Sequence, residues 1–312
     1  MCAPIAAPIV AIDWGTSSFR LWALDAGGTV LAEAKSGEGA NGLDASGFDA
    51  VLRRHLAELS GVFGDATPPV VMCGMVGARY GWREAAYVDV PAPLTSIAGS
   101  AIAAPFPAQS WILPGLAQRS EAAPDVIRGE ETQLLGLTRQ DAAFTGTVCM
   151  PGTHSKWVRM AQGRVTGFHT AMTGELFALL AQHSTLRQAM AGAAPTDENS
   201  DAFAAGARAG LAAPEDILHA LFGIRAATLL LGATPDEAAA RASGLLIGAE
   251  IVAALRRAPV RSVTLVGAGA LGRCYRKVFE MAGCEVSEED GFELARRGLF
   301  EAARQLLARA AA

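Results

Sequence analysis

The chain has 312 residues, 51% of them hydrophobic and 18% charged, with a formal net charge of -5. That length buries a sizeable core and suits two domains better than one, and the mildly acidic balance speaks against a general nucleic-acid or polyanion surface. The five cysteines (Cys2, Cys73, Cys149, Cys274, Cys284) form no CxxC pair, zinc spacing or disulfide framework, so reduced, mostly buried thiols in a cytoplasmic protein are expected.

The opening "MCAPIAAPIVAID" is apolar without a basic start, and it leads into a buried strand rather than reading as a signal peptide. From Pro8 the pattern predicts strand "IVAID", a polar turn, strand "FRLWALD", the turn "AGG" and strand "VLAEAK". A helix over "DASGFDAVLRRHLAELS" follows, with Asp44 or Ser46 as its cap. "PPVVMCGMVG" and, after an irregular Pro-rich stretch, "SWILPGL" are further strands. "GEETQLLGLTRQ" is a helix with acids in its first turn, where the dipole favours them.

The order then restarts. "GTVCMPG", "HSKWVRM" and "RVTGFHT" are three short strands with a turn at Gln162-Gly163. Helices follow over "GELFALLAQH", "NSDAFAAGARAGL", "PEDILHALF" and "TPDEAAARASGLLIGAEIVAALRRA". The apolar core of the last, "ASGLLIGAEIVAAL", is interrupted by Glu250 and is too short to span a bilayer. Strand "SVTLVGAG", helix "LGRCYRKVFEMAG", strand "CEVSE" and helix "GFELARRGLFEAARQLLARA" close the chain. Each half opens with a three-strand meander, the pattern of an internal duplication. The expected domains are residues 1–143 and 144–312, joined without a low-complexity linker.

Four places carry chemistry. The turn Gly15-Thr16-Ser17-Ser18 offers backbone amides and hydroxyls to a phosphate, and Asp13 before it could hold magnesium directly or through water. The bland reading is a hairpin whose hydroxyls satisfy their own turn. A second such turn, Gly152-Thr153-His154-Ser155 with Lys156, opens the other half, and two of them could clamp one polyphosphate. No P-loop spacing occurs. "GAGALG" places Gly267, Gly269 and Gly272 in a dinucleotide-type spacing, but only 40 residues follow Gly272, too few for a Rossmann domain. Those glycines could instead let the backbone approach the adenosine part of a nucleotide. In "VIRGEETQLLG", Glu130 or Glu131 could take a proton from an attacking hydroxyl, with Glu131 preferred, while Arg128 could receive a carboxylate on its fork. A helix-start Glu pair is also an ordinary response to the helix dipole. Lesser candidates are Arg79, Tyr80 and Trp82 in a Gly-rich loop, His169, Thr173 and Glu175 at a strand-to-helix junction, and a cap at Asn199 or Ser200.

Taken together, "AIDWGTSSFRLW", "VVMCGMVGARYGW", "WILPGL", "VIRGEETQLLG", "MPGTHSKWV", "TAMTGEL", "ENSDAFAAG" and "SGLLIGAE" resemble the 2-dehydro-3-deoxygalactonokinase family along nearly the whole chain. The resemblance implies an α/β fold of two duplicated ribonuclease-H-like domains, the actin-like ATPase and sugar kinase fold, around a central nucleotide cleft. It implies ATP-dependent phosphorylation of the 6-hydroxyl of 2-dehydro-3-deoxy-D-galactonate in D-galactonate breakdown, with magnesium. By the same resemblance Asp13 to Ser18 look like the first phosphate motif, Gly152 to Lys156 like the second, and Gly267 to Gly269 like the adenosine motif. Arg79, Trp82, Arg128, Lys156, Thr173 and Glu175 become candidates for the sugar acid, Glu130 and Glu131 for the base, and the last helix for a segment crossing back to the first domain. His154 and Lys156 depart from the small residues usual in a second phosphate motif. The partners expected are ATP and a small sugar acid, with no nucleic acid and no membrane, and a second copy of the chain as the candidate protein partner. A phosphohydrolase of the same fold, of the exopolyphosphatase type, and a kinase for 2-dehydro-3-deoxy-D-gluconate are the alternatives.

Overall fold

The computed structural model describes residues 8–63, 67–267 and 269–311, so Cys2 and Ala268 lie outside the described residues. The chain divides into two compact units. The first takes the residues up to Thr145, with 160–167 and 291 onward; the second takes 146–159 and 168–290.

In the first unit, β1 (Ile9–Trp14) is buried along its length apart from Asp13. It can be apolar on both faces because it lies between β2 (Phe19–Leu24) and β4 (Val70–Gly74), the second of which is parallel to it. With β3 (Val30–Ser36) and β5 (Ser110–Ile112) the order is β3-β2-β1-β4-β5, and Ile102–Ala103 adds a short edge. Helix α1 (Ala45–Glu58) starts where the Asp44 carboxylate accepts the Gly47 N–H at 2.8 Å, which settles the cap in favour of Asp44. The stretch "SWILPGL" is not one strand. Its ladder ends after Leu113 donates to Met72 O, and Pro114, which has no N–H, lets the chain leave the sheet. Leu116–Gln118 then joins Val88–Asp89 and Asp125–Ile127 in a separate three-stranded sheet that delivers the chain to α2 (Glu130–Gln140).

The second unit repeats the plan. Strands β6 (Gly146–Met150), β7 (Ser155–Ala161) and β8 (Arg164–Ala171) form its meander, except that the hairpin tip, 160–167, belongs to the first unit. The β7–β8 turn has positive φ at both Gln162 (51°) and Gly163 (67°), the left-handed pair that a two-residue hairpin of this hand requires. Helices α3 (Thr173–His183), α4 (Asp201–Ala212), α5 (Ile217–Leu230) and α6 (Pro235–Arg257) follow. The Ser200 hydroxyl caps α4 by accepting from Phe203 N. Then come β9 (Ser262–Val266), α7 (Gly269–Met281) and β10 (Glu285–Glu289), and the order β10-β9-β6-β7-β8 matches that of the first unit strand for strand. β9 runs parallel to both β6 and β10. Twice over, this is the ribonuclease-H-like strand order, so the chain has the duplicated fold of actin-like ATPases and sugar kinases. The last helix, α8 (Gly291–Ala310), belongs to the first unit.

Two helix crossings depend on missing side chains. Within the first unit, a β-carbon on Gly298 of α8 would sit 1.9 Å from the Thr132 carbonyl of α2, and one on Gly136 would sit 2.0 Å from Leu294 O. Glycine inside a helix costs about 0.5–1 kcal/mol relative to alanine, and here the backbone-to-backbone approach offsets that. Within the second unit, Gly206 and Gly210 of α4 meet Gly244 and Gly248 of α6 in the same way, with virtual β-carbons 2.1 to 2.5 Å from facing carbonyls. Both pairs are four apart, hence on one helix face. Helix α6 continues beyond its apolar core on both sides, and its 23 residues are long and apolar enough, by length and composition alone, to cross a membrane. In the fold, 67% of its most apolar window is buried, against α4 and the core of the second unit.

Candidate active site

In the first unit an acidic cluster is assembled from the ends of β1 and β4 and the start of α2. Asp13 stands opposite Arg20 across β2 and opposite Cys73 across β4. The Cys73 Sγ–H reaches its Oδ1 at 3.8 Å. Two glycines bring the start of α2 to this strand end. Gly74 has φ 88° and passes so close to the Trp14 carbonyl that a β-carbon would be 2.6 Å away; Gly129 has φ 107° and faces the Gly74 Cα. Burial raises the Asp13 carboxyl to about 6, the nearby Glu130 charge adds to this, and Arg20 and Cys73 oppose it.

The two adjacent glutamates have different surroundings. Glu131 is 0% exposed, and its oxygens accept the Gly129 N–H at 2.6 Å and the Thr132 hydroxyl at 3.1 Å. Burial pushes its carboxyl up to about 8, Glu130 adds repulsion, and the backbone N–H groups of Glu131 and Gly129 and the Arg128 charge pull the other way. Glu130 is only half-buried and accepts from Arg128 N at 3.2 Å. Arg128 donates through Nη2 to Ala85 O at 2.8 Å and lies 4.3 Å over the Tyr87 ring, while its buried Nε and Nη1 find no hydrogen-bond acceptor among the described residues.

Because the Glu131 acid is favoured in the folded state, its contribution to stability is complete below its ordinary value of 4.5 and is lost as the pH rises towards 8. Glu131→Gln keeps an acceptor for Gly129 N and an NH2 group for the Thr132 oxygen. It is therefore expected to flatten the fall in stability between pH 5 and 8, and to be the more stable form at pH 8 by on the order of a few kcal/mol. Urea unfolding of both forms at pH 5, 6.5 and 8 measures this, and parallel profiles would refute the assigned burial of the charge.

The first polar turn is built as a surface. Gly15 N donates to Ser18 O, and the carbonyls of Gly15 and Thr16 accept from Ala40 N and Asn41 N, so the loop is held from one side. The Thr16, Ser17 and Ser18 side chains are exposed on the other. Trp82 is a core residue at 8% exposure, stacked 6.0 Å from Phe48 and edge-on to Trp14, which removes it from the ligand candidates. Arg79 and Tyr80 are exposed on the adjoining loop.

The second unit carries its own polar turn. Its turn Gly152-Thr153-His154 is docked on the start of α3: Glu175 N donates to Thr153 O at 2.9 Å, and a β-carbon on Gly174 would meet Gly152 O at 2.4 Å. His154 Nε2 contacts Glu175 Oε2 at 2.5 Å on the surface. Ser155 and Lys156 are buried beneath, and Lys156 Nζ donates to His154 O at 3.1 Å, bracing the turn from behind. His169 stacks on Trp157. A cavity of about 190 Å³ opens beside the turn, lined by Gly152, Thr173, Gly174, Leu246, Leu271 and Tyr275 among others. Gly267 ends β9 next to it, where a β-carbon would be 3.8 Å from Pro151 Cδ and from Gly272 Cα, and Gly269 starts α7 with φ 69°. Gly152 of the polar turn and Ala270 and Leu271, which follow Gly269, line this one cavity.

The sequence pattern missed the group that holds this wall together. Glu250, buried in α6, accepts from Trp157 Nε1 at 2.7 Å, from Tyr275 Oη at 2.6 Å and from the Thr173 hydroxyl. Burial, then the Glu250 charge, drives the Tyr275 phenol well above its usual range. A lone carboxylate in an apolar helix was the signal, but its donors lie 93, 77 and 25 residues away and no local pattern names them.

A family model described as 2-keto-3-deoxy-galactonokinase matches residues 13–302. The chain belongs to this family. It is 48% identical over 305 residues to the protein of Rhizobium meliloti (strain 1021) named "Probable 2-dehydro-3-deoxygalactonokinase DgoK1", covering 95% of this chain and 96% of that one. It is 39% identical over 285 residues to the 2-dehydro-3-deoxygalactonokinase of Escherichia coli (strain K12), covering 90% and 92%. A crystal structure of a Sinorhizobium meliloti protein, a candidate 2-dehydro-3-deoxygalactonokinase by its description, superposes with a TM-score of 0.91 at 47% identity over 96% of this chain and 99% of that one. The acidic cluster of the first unit and the polar turn of the second both lie inside the matched region, Asp13 at its first residue.

Proposed function

We propose that the protein is a cytoplasmic kinase that transfers the γ-phosphoryl group of ATP to the 6-hydroxyl of 2-dehydro-3-deoxy-D-galactonate in D-galactonate breakdown. The observation that carries this reading is Arg128. Its guanidinium, fixed by Ala85 O and the Tyr87 ring, holds a positive charge two residues from Glu130, where it can attract a carboxylate. A sugar acid brings both groups this pair needs, a carboxylate for the cation and a hydroxyl for the base.

In this reading Glu130, not Glu131, takes the proton. Glu131 has no accessible surface and its oxygens are engaged by its own helix start, whereas Glu130 can meet a solute. The C6 oxygen attacks phosphorus, its proton passes to the Glu130 carboxylate, and ADP leaves with the electrons of the broken P–O bond. In the first unit the hydroxyls of residues 16–18 are the phosphate donors; in the second the Gly152–His154 turn offers donors of the same kind, and the cavity between Gly152 and Tyr275 receives the adenosine. Magnesium, when bound, would neutralise phosphate charge, and the part-buried Asp13 carboxylate, followed in the chain by the exposed hydroxyls of Thr16, Ser17 and Ser18, offers the oxygen ligands it takes. Names of relatives at 48% and 39% identity support the substrate.

The direct test supplies ATP and magnesium with the galactonate-derived acid, its gluconate-derived epimer and plain hexoses, and identifies the phosphorylated oxygen. Product carrying phosphate on O6 of the galactonate-derived acid supports the reading; hydrolysis of ATP or polyphosphate regardless of the acid replaces it with a phosphohydrolase. Arg128→Gln is expected to raise KM for the sugar acid at least tenfold, the loss of about 1.5–3 kcal/mol from one charged hydrogen bond, while KM for ATP stays within twofold. Steady-state kinetics with each substrate varied in turn separates the two.

A further inference from the structure

Helix α5 of the second unit is apolar on the wrong side for a solitary surface helix. Its inner face, Ile217, Ala220, Leu221 and Ile224, packs with Leu186, Met190 and Leu245 in a small core. On its outer face and C-terminal end Leu218 is 81% exposed, Phe222 66%, Leu229 69%, Leu230 79% and Leu231 82%. Residues 218, 222 and 229 share one face by helical spacing, a stripe about 17 Å long, and Leu230 and Leu231 carry the apolar surface round the C-terminal end. The only titratable side chains on α5 are His219 and Arg225, and Arg225 is turned to Thr185 O at 2.8 Å.

We propose that this face is where two copies of the chain meet, α5 against α5 about a two-fold axis. Area is the first argument. Five large apolar side chains exposed to this degree offer roughly 600 Å², the upper end of the patch a monomer leaves bare and most of the ~800 Å² that each partner brings to a standard interface. The second is self-complementarity. An isologous contact needs a patch that matches itself, and an all-leucine and phenylalanine stripe with almost no charge does so in the antiparallel pairing a two-fold axis imposes. Phe222 is the third. It shares the face of Leu218 and Leu229 and lies near the middle of the stripe, where two antiparallel helices crossing on the axis would approach most closely.

Sedimentation velocity of the full chain from 1 to 50 µM is expected to show a dimer. Phe222→Glu combined with Leu230→Glu should weaken it at least 100-fold while the melting profile stays that of a folded protein, since both side chains are exposed. Phe222→Cys supplies a second measurement: mild oxidation should give a reducible covalent dimer, the described native cysteines all being buried. A monomer throughout the range, a dimer that survives both charges, or a monomer that floats with phosphatidylcholine vesicles instead would each overturn the proposal.

Discussion

Glu130→Gln is expected to lower kcat on the sugar acid by about 10²- to 10⁴-fold, the contribution of a positioned general base, with KM for both substrates changed little. The argument rests on access. Two carboxylates stand side by side at the start of α2, one with no accessible surface and one half-buried next to Asp13. Glu131 holds the helix start closed through Gly129 N and Thr132, and Glu131→Gln preserves both bonds. It should therefore leave kcat within a few-fold of the parent at pH 7. The pair of variants divides the outcomes cleanly. If Glu131→Gln is the dead enzyme and Glu130→Gln the active one, the buried carboxylate must become exposed during turnover and the assignment reverses. If both are dead, the two act as one unit, and a double variant no worse than either single one would show it.

Much of this was legible from local pattern. The β1–β2 turn, the restart at "GTVCMPG" and the acidic start of α2 are written in alternation, glycine placement and helix-dipole preference, which are properties of neighbours in sequence. What stayed hidden were properties of neighbours in space. "VIRGEETQ" presents Glu130 and Glu131 as equals, and only the approach of Gly74 and Gly129 shows which is sealed. Trp82 in a Gly-rich loop resembles a ligand platform, but Phe48 from α1 and Trp14 from β1 take its faces. Glu250 interrupts an apolar run and its role appears once Trp157, Thr173 and Tyr275 converge on it. The family strings carried the fold and the reaction class because they preserve the spacing of these contacts without naming them.

The second large effect is expected from a methyl group remote from any reacting atom. Gly298→Ala places a β-carbon 1.9 Å from Thr132 O and close to Gly136 N, both backbone atoms of α2 that cannot rotate aside. Helix α8 must therefore move off α2, or α2 must shift. Overpacking of this kind costs about 1–3 kcal/mol and occasionally more, and with backbone on both sides the upper end is expected, a fall in Tm of roughly 3–5 °C for a chain this size. Alanine's better helix propensity returns less than 1 kcal/mol of that. Activity should fall further than stability suggests, because Thr132 directly follows Glu131 and a displacement of about 1 Å at a catalytic group can cost 10²-fold. Gly61→Ala is the matched control, a glycine in a short helix with no atom within 4 Å of the virtual β-carbon, and it should be neutral. Thermal melts and kcat of the two variants together decide the point. A Gly298→Ala protein that melts and turns over like the parent would mean that the α2–α8 contact has slack, and that the position of Glu130 is set by Gly74 and Gly129 alone.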